Sequence, residues 1–336
     1  MRPIAGFTAA ALTFAACAGP LAGDEADDGT APAPTTADDN PTADTGRATA
    51  TPPSSAPPTT VAPLYDIAPN GAPLAADNPE DLAAQLAFAH EVIADPTASP
   101  DELDVAGHLH QVAYRKLGRN PEWDGPVADA LPNGLAPVVL AGAGARRPFK
   151  NLLSEPPANL PAWEIVEPPP ADELLAHYRE AESVFGIPWQ YLAAINLVET
   201  GMGRIRGLST AGARGPMQFI PATWERFGEG DIDDPLDSIM AAARYLAYEA
   251  ERDGGPVEPG SDSLLDALWH YNNHDSYVNG VKAFADLMIA DERLFFAYHQ
   301  WEIYYWSTEG DIWLPVGWRS EESIPAADWV AENPQR

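Results

Sequence analysis

A single cysteine, Cys17, occurs in 336 residues. No intrachain disulfide can form, so the folded part must be held by its apolar core alone. Cations are scarce too: Lys and Arg total 19 against 50 Asp and Glu, a formal charge of -31. Binding a phosphate backbone needs clustered cations that release counterions, so nucleic acid is excluded as a partner. Beyond the N-terminus no apolar run is long enough to span a bilayer, and the stretch Leu135 to Ala145 is short and interrupted by proline and glycine. Aromatic residues are absent from Ala18 to Leu64, where Pro, Thr, Ala and Asp dominate. Such a segment cannot bury enough apolar area to offset its ordering entropy, which predicts a disordered linker over residues 18–77. Its acid runs, Asp27-Asp28 and Asp38-Asp39, read as solvating charge rather than a calcium site.

What is present begins with an export signal, residues 1–17: Arg2, an apolar stretch from Ile4 to Ala16, then Cys17 among small residues. Phe14, Ala15, Ala16 and Cys17 together resemble the lipobox of bacterial lipoproteins. That resemblance implies lipidation of Cys17 and a membrane anchor facing the cell wall, whereas cleavage by the ordinary signal peptidase would leave a secreted protein.

Organisation follows from periodicity. Leu82, Leu86, Phe88 and Ile93, then Leu103, Leu109, Val112, Tyr114 and Leu117, predict two helices separated by Pro96 and Pro100. This pair and a proline- and glycine-rich, irregular connection from Pro132 onward make up residues 78–160. The second half predicts helices over Glu173 to Phe185, from Pro188 to about Thr200, from Ala222 to Phe227, from a capping Asp234, from Leu264 to Tyr271 and from Tyr277 to Met288. Strand-like alternation is scarce, so the fold class is mostly α, with one domain over 161–310 and a tail over 311–336.

Glu199 ends the second of these helices, just before Gly201 on an apolar segment. The negative end of a helix dipole and partial desolvation both disfavour its charged form, as suits a proton donor near neutrality. Spacing alone favours a solvent-facing glutamate fraying at a helix end. The surrounding strings change the balance: VETGMGR at 198–204, Ser209, AGARGPMQFIPATW at 211–224, DDPLDSIMAAARYL at 233–246 and ALWHYNNHDSYV at 267–278. In this order, over about 171–288, they resemble the lytic transglycosylases, most closely the membrane-bound B type, with related motifs in goose-type lysozymes. The resemblance implies a lysozyme-like domain, preceded by the linker and the helical pair, that acts on peptidoglycan glycan strands without a cofactor. It places Glu199 as catalytic acid and base, and Ser209, Met217, Gln218, Tyr271 and Asn272 along the substrate groove. Tyr271 is expected to hydrogen-bond Glu199. Unlike the B type, the chain from Arg204 to Ser209 leaves no room for an inserted subdomain, and no EF-hand loop is present.

Other chemistry-bearing residues have blander explanations. His270 and His274 are four apart but lack the glutamate of a metalloprotease motif, His108 and His110 diverge on a helix, and Asp231, Asp233 and Asp234 suit helix capping. No metal is expected. Trp224, Trp269 and Tyr277 at helical spacing read as core before sugar platforms, and Trp301, Tyr304, Tyr305 and Trp306 could cover one end of the groove. Two rivals stay open: a hydrolase of the same fold using Asp231 or Asp233 to hold a water, and a glycan-binding lipoprotein without catalysis.

Overall fold

Helix α6, Trp189–Thr200, has no solvent face: from Tyr191 to Thr200 every residue is buried. A helix buried all round sits at the centre of a helical domain, here with Asn196, Glu199 and Thr200 among its buried residues. In the computed structural model, which describes residues 64–152 and 155–335, it is packed by α5 (Ala171–Phe185), α8 (Pro235–Asp253), α10 (Asp275–Ala290) and α11 (Arg293–His299). Helices α7 (Pro221–Phe227) and α9 (Asp262–Tyr271) pack on α8. Cys17, its apolar leader and the acid-rich part of the linker lie outside the described residues.

The caps are those that the sequence foreshadows. Asp234 accepts from the Asp237 amide at 3.0 Å at the start of α8. Pro188 sits at the N-cap of α6, one residue earlier than the first turn.

The N-terminal helices are α1 (Pro79–Ala94) and α2 (Pro100–Arg119), which pack on each other and on α11. Leu82, Leu86 and Ile93 are buried between them, whereas Phe88 faces outward. The described structure includes residues 64–77, ahead of α1. The Ile67 and Pro73 backbones pair, Gln85 accepts from the Ala76 amide at 2.9 Å, and Tyr65 and Ala75 pack against Leu109, Val112 and Tyr304. Tyr65 supplies the apolar anchor that the preceding segment lacks.

Helices α3 (Asp124–Ala130) and α4 (Ala136–Arg146) follow, so the connection after residue 132 is not irregular at its start. Pro137 lies in the first turn of α4, where its missing N–H costs nothing. Gly142 serves close packing: a Cβ there would lie 2.6 Å from the ring of Tyr114.

Strands are more frequent than alternation suggests, although each sheet is two-stranded. β1 (Asn159–Leu160) pairs with β6 (Ile324–Pro325), and β2 (Glu164–Ile165) with β3 (Ile205–Arg206), all antiparallel. β4 (Ile303–Ser307) and β5 (Gly310–Leu314) form a hairpin, and α12 (Ala326–Glu332) closes the described chain. The segment after 310 is thus folded in. Ile312, Leu314, Trp318 and Ala326 join Leu160, Trp163, Ile165, Ile205, Ile303 and Tyr305 in a second small core, which reaches the chain just past α6 through Ile205 and Ile303.

Candidate active site

The end of α6 is set by three successive residues in the left-handed region, Gly201 (φ 60), Met202 (φ 64) and Gly203 (φ 87). Gly201 is required twice over, because a Cβ would also meet the Ile303 side chain at 2.6 Å. Met202 adopts its positive φ while fully buried, a strained conformation of the kind that collects at functional sites. The turn drops the chain straight off the helix and leaves Glu199 on the final turn, inside the domain.

Glu199 is 1% exposed. Its Oε1 accepts a hydrogen bond from the Tyr277 hydroxyl at 2.7 Å, and its Oε2 has no partner. Burial pushes the carboxyl up to about 8, against a smaller downward pull from the Tyr277 bond. Among the described residues no cation offsets this desolvation, and the balance favours the neutral acid.

Tyr271 does not hold Glu199. Its hydroxyl donates to the Met217 carbonyl at 2.6 Å, while its ring stacks on Tyr277 with centroids 6.4 Å apart and planes within 5°. The tyrosine that reaches the carboxylate is six residues later because α10, not α9, packs along α6. Tyr277 is therefore both core, as its spacing suggests, and the partner of Glu199. Sequence reasoning missed the second role, although the residue lies within the last of the strings quoted above.

Gln218 adopts φ 50 and donates through Nε2 to the Gly215 carbonyl at 3.1 Å, leaving Oε1 buried without a partner. Met217 is fully buried. Ser209 lies on the glycine-rich loop between β3 and α7, where its Oγ accepts from the amides of Ala211 at 3.2 Å and Ala213 at 3.0 Å. With its acceptor capacity used inside the loop, the hydroxyl proton is left free to donate. Asn272 is buried at the end of α9. The structure thus joins Glu199, Tyr277, Tyr271 and Met217 through bonds and ring contact, while Ser209 bonds within its own loop.

The remaining candidates sort by their partners. His274 Nδ1 accepts from the Ser276 amide at 3.0 Å and caps α10, while the His270 ring nitrogen takes a bond from Arg252 at 2.6 Å. Among the described residues no group of three or more His, Cys, Asp or Glu is placed to hold a metal ion. Asp233 is ion-paired with Arg214, and Asp231 accepts from the Asp233 amide at 2.9 Å. Trp269 is 41% exposed rather than core, because Leu264, Leu268 and Tyr271 already define the inner face of α9. Trp224 is half-buried, edge-on to Phe219.

Trp301, Tyr304 and Tyr305 are buried, each with a hydrogen-bond partner. Trp301 Nε1 donates to His110 Nδ1 at 3.1 Å, the Tyr304 hydroxyl bonds His108 at 2.7 Å, and Tyr305 donates to the Asn159 carbonyl at 3.0 Å. Both histidines on α2 are thereby explained by buried partners.

Residues 177–284 match the family model described as the transglycosylase SLT domain. The chain carries an SLT domain of lysozyme-like type. That domain runs from within α5 to within α10 and contains Glu199, Ser209, Met217, Gln218, Tyr271, Asn272 and Tyr277. Among curated proteins, a "Membrane-bound lytic murein transglycosylase F" of Thiobacillus denitrificans is 29% identical over 142 residues, 42% of this chain and 27% of that protein. A protein of the same name from Nitrosospira multiformis is 29% identical over 116 residues, 34% of this chain and 24% of its own length. "Membrane-bound lytic murein transglycosylase F 2" of Alkalilimnicola ehrlichii is 36% identical over 96 residues, 29% of this chain and 21% of that protein. The chain spans about a quarter of the length of these relatives, and they bear the type F name rather than the type B that the motifs suggest. No solved structure gives a significant match.

Proposed function

We propose that this protein is a peptidoglycan lytic transglycosylase with Glu199 as its single acid and base. The observation that carries the proposal is a buried carboxyl, raised to about 8, with one oxygen on a tyrosine and the other without a partner. Glu199 would donate its proton to the glycosidic oxygen between N-acetylmuramic acid and N-acetylglucosamine as the bond to the anomeric carbon breaks. The muramoyl acetamido carbonyl shields the positive charge developing there, which replaces a second carboxylate. The Glu199 carboxylate then takes the proton of the muramoyl 6-hydroxyl, whose oxygen closes on the anomeric carbon to give the 1,6-anhydro end. No water is consumed, the acid is regenerated, and ring closure gains from intramolecular proximity.

Ser209, with its hydroxyl proton free to donate, and Gln218, with its unpartnered Oε1, suit neutral recognition of the sugar and its acetamido group, with Met217, Tyr271 and Asn272 shaping the same groove. Neutral groups orient an amide without competing as nucleophiles. The hydrolytic alternative gains no support from Asp233, which is engaged by Arg214, or from Asp231, which binds the Asp233 amide. A cell-envelope location accords with the names of the relatives and with the export signal that the sequence suggests, and lipidation of Cys17 would tether the enzyme beside the wall. Among the described residues no helix is long and apolar enough to cross a membrane.

Mass analysis of products from purified glycan strands tests the reading. Anhydromuramoyl ends are expected; reducing muramic acid ends would replace the transglycosylase by a hydrolase, and no cleavage would leave only a glycan-binding protein.

A further inference from the structure

Pro216 precedes Met217 and Gln218, and its carbonyl oxygen lies in the interior, where an unmade hydrogen bond is costly. It is bonded twice from the end of α6, by Asn196 Nδ2 at 2.8 Å and by Thr200 Oγ1 at 2.6 Å. Asn196 is saturated in turn. Its Nδ2 also donates to Thr200 Oγ1 at 3.1 Å, and its Oδ1 accepts from the Tyr178 hydroxyl at 2.6 Å. Thr200 Oγ1 further accepts from the Gly203 amide at 3.0 Å, which ties in the left-handed turn. Tyr178, Asn196 and Thr200 are fully buried.

An amide inside a buried helix is a poor choice for helix stability, and its desolvation is offset only by partners such as these. The network's location is what gives it meaning. Asn196 stands three residues before Glu199 and Thr200 one after, while the far side of the same loop is held by Tyr271 on the Met217 carbonyl. The segment bearing Gln218 is thus clamped between the helix of the acid and the tyrosine stacked on the acid's partner.

We infer that Asn196, acting with Thr200, is a positioning residue: its carboxamide clamps the 216–218 segment to the end of α6 and so keeps water from the Glu199 carboxyl, an assignment that rests on the reading of Glu199 as the acid. The titratable groups acting on that carboxyl are Tyr277 from α10 and Tyr271 from α9, and both phenols are held neutral by burial. Among the described residues no charge acts on Glu199, so its burial sets its proton affinity. Loosening the clamp admits water and returns the acid toward its ordinary range.

The test is the pH profile of strand cleavage for Asn196→Leu and Thr200→Val, which remove hydrogen bonds at nearly constant volume, with Thr200→Ser as the rescuing conservative change. The alkaline limb is expected to move down by about one pH unit in the first two, with about tenfold lower rate above it, and to stay in place for serine. Lower thermal stability or amplitude with the limb unmoved would overturn the assignment and leave the amide merely structural. Should Asn196→Leu not fold, the Thr200 valine and serine pair decides alone. Glu199→Gln separates the two levels: retained cleavage there defeats the acid itself, whereas a dead Glu199→Gln with an unmoved limb in the clamp variants defeats only the clamp.

Discussion

Two of the carboxylates that lie largely inside this protein, one in the SLT domain and one in the hairpin outside it, are driven in opposite directions by their surroundings. Glu199 has a tyrosine hydroxyl and an empty oxygen, and burial raises it to about 8. Asp311, on β5, is also pushed upward by burial, but the guanidinium groups of Arg115 and Arg119 on α2 overcome that and hold it well below the usual carboxylate range. Burial alone does not decide the charge state; burial without a cation favours the neutral acid. The ion-paired carboxylate fastens the hairpin to α2, and the unpaired one has the proton affinity that the proposed acid needs.

Exchanging charge for an amide at each site gives the sharpest contrasts. Glu199→Gln is expected to lower strand cleavage by about a thousandfold. It should also stabilise the fold as pH rises. The folded carboxyl keeps its proton up to about 8 while the unfolded one loses it near 4.5, so the wild type loses stability across that window and the amide variant does not. A melting temperature for the variant higher by roughly 5–10 °C at pH 8, with little difference at pH 4, would be seen by calorimetry.

Asp311→Asn should do the reverse. It leaves Arg115 without its counter-charge, costs about 3 kcal/mol, and leaves the pH limb of cleavage where it was. Since the folded Asp311 is held low, the wild-type advantage is present at neutral pH and lost as pH falls through the acid range, which chemical denaturation at several pH values would report. Equal effects on the activity profile from both carboxylates would break the distinction.

Tyr277→Phe tests the partner. The hydroxyl pulls the Glu199 carboxyl down, so its removal is expected to shift the alkaline limb upward while misorientation lowers the rate by about tenfold. Asp234→Ala is the smallest change: loss of the α8 cap costs about 1 kcal/mol without moving the pH profile.

The legibility of these features follows their range along the chain. Helix caps, the burial of α6 and the strings around Glu199, Gln218 and Tyr271 are local patterns, visible in order of sequence. The identity of the tyrosine on Glu199 is not local, because it depends on which helix packs along α6, and two tyrosines six apart are both compatible with the pattern. The hairpin was hidden for a related reason. Tyr304, Tyr305 and Trp306 are buried or half-buried together between α2 and the second core, so no alternation of polar and apolar residues marks the strand. Helix α4 was obscured by its proline and glycines; Pro137 suits its first turn and Gly142 packs against Tyr114, uses that only packing discloses.

The central claim is that the Glu199 carboxyl is neutral in the resting protein, and carbon-13 NMR of its side-chain carboxyl, assigned by comparison with Glu199→Gln, addresses it directly. A titration midpoint near 8 is predicted; a midpoint near 4.5, the value of an exposed glutamate, would contradict the account.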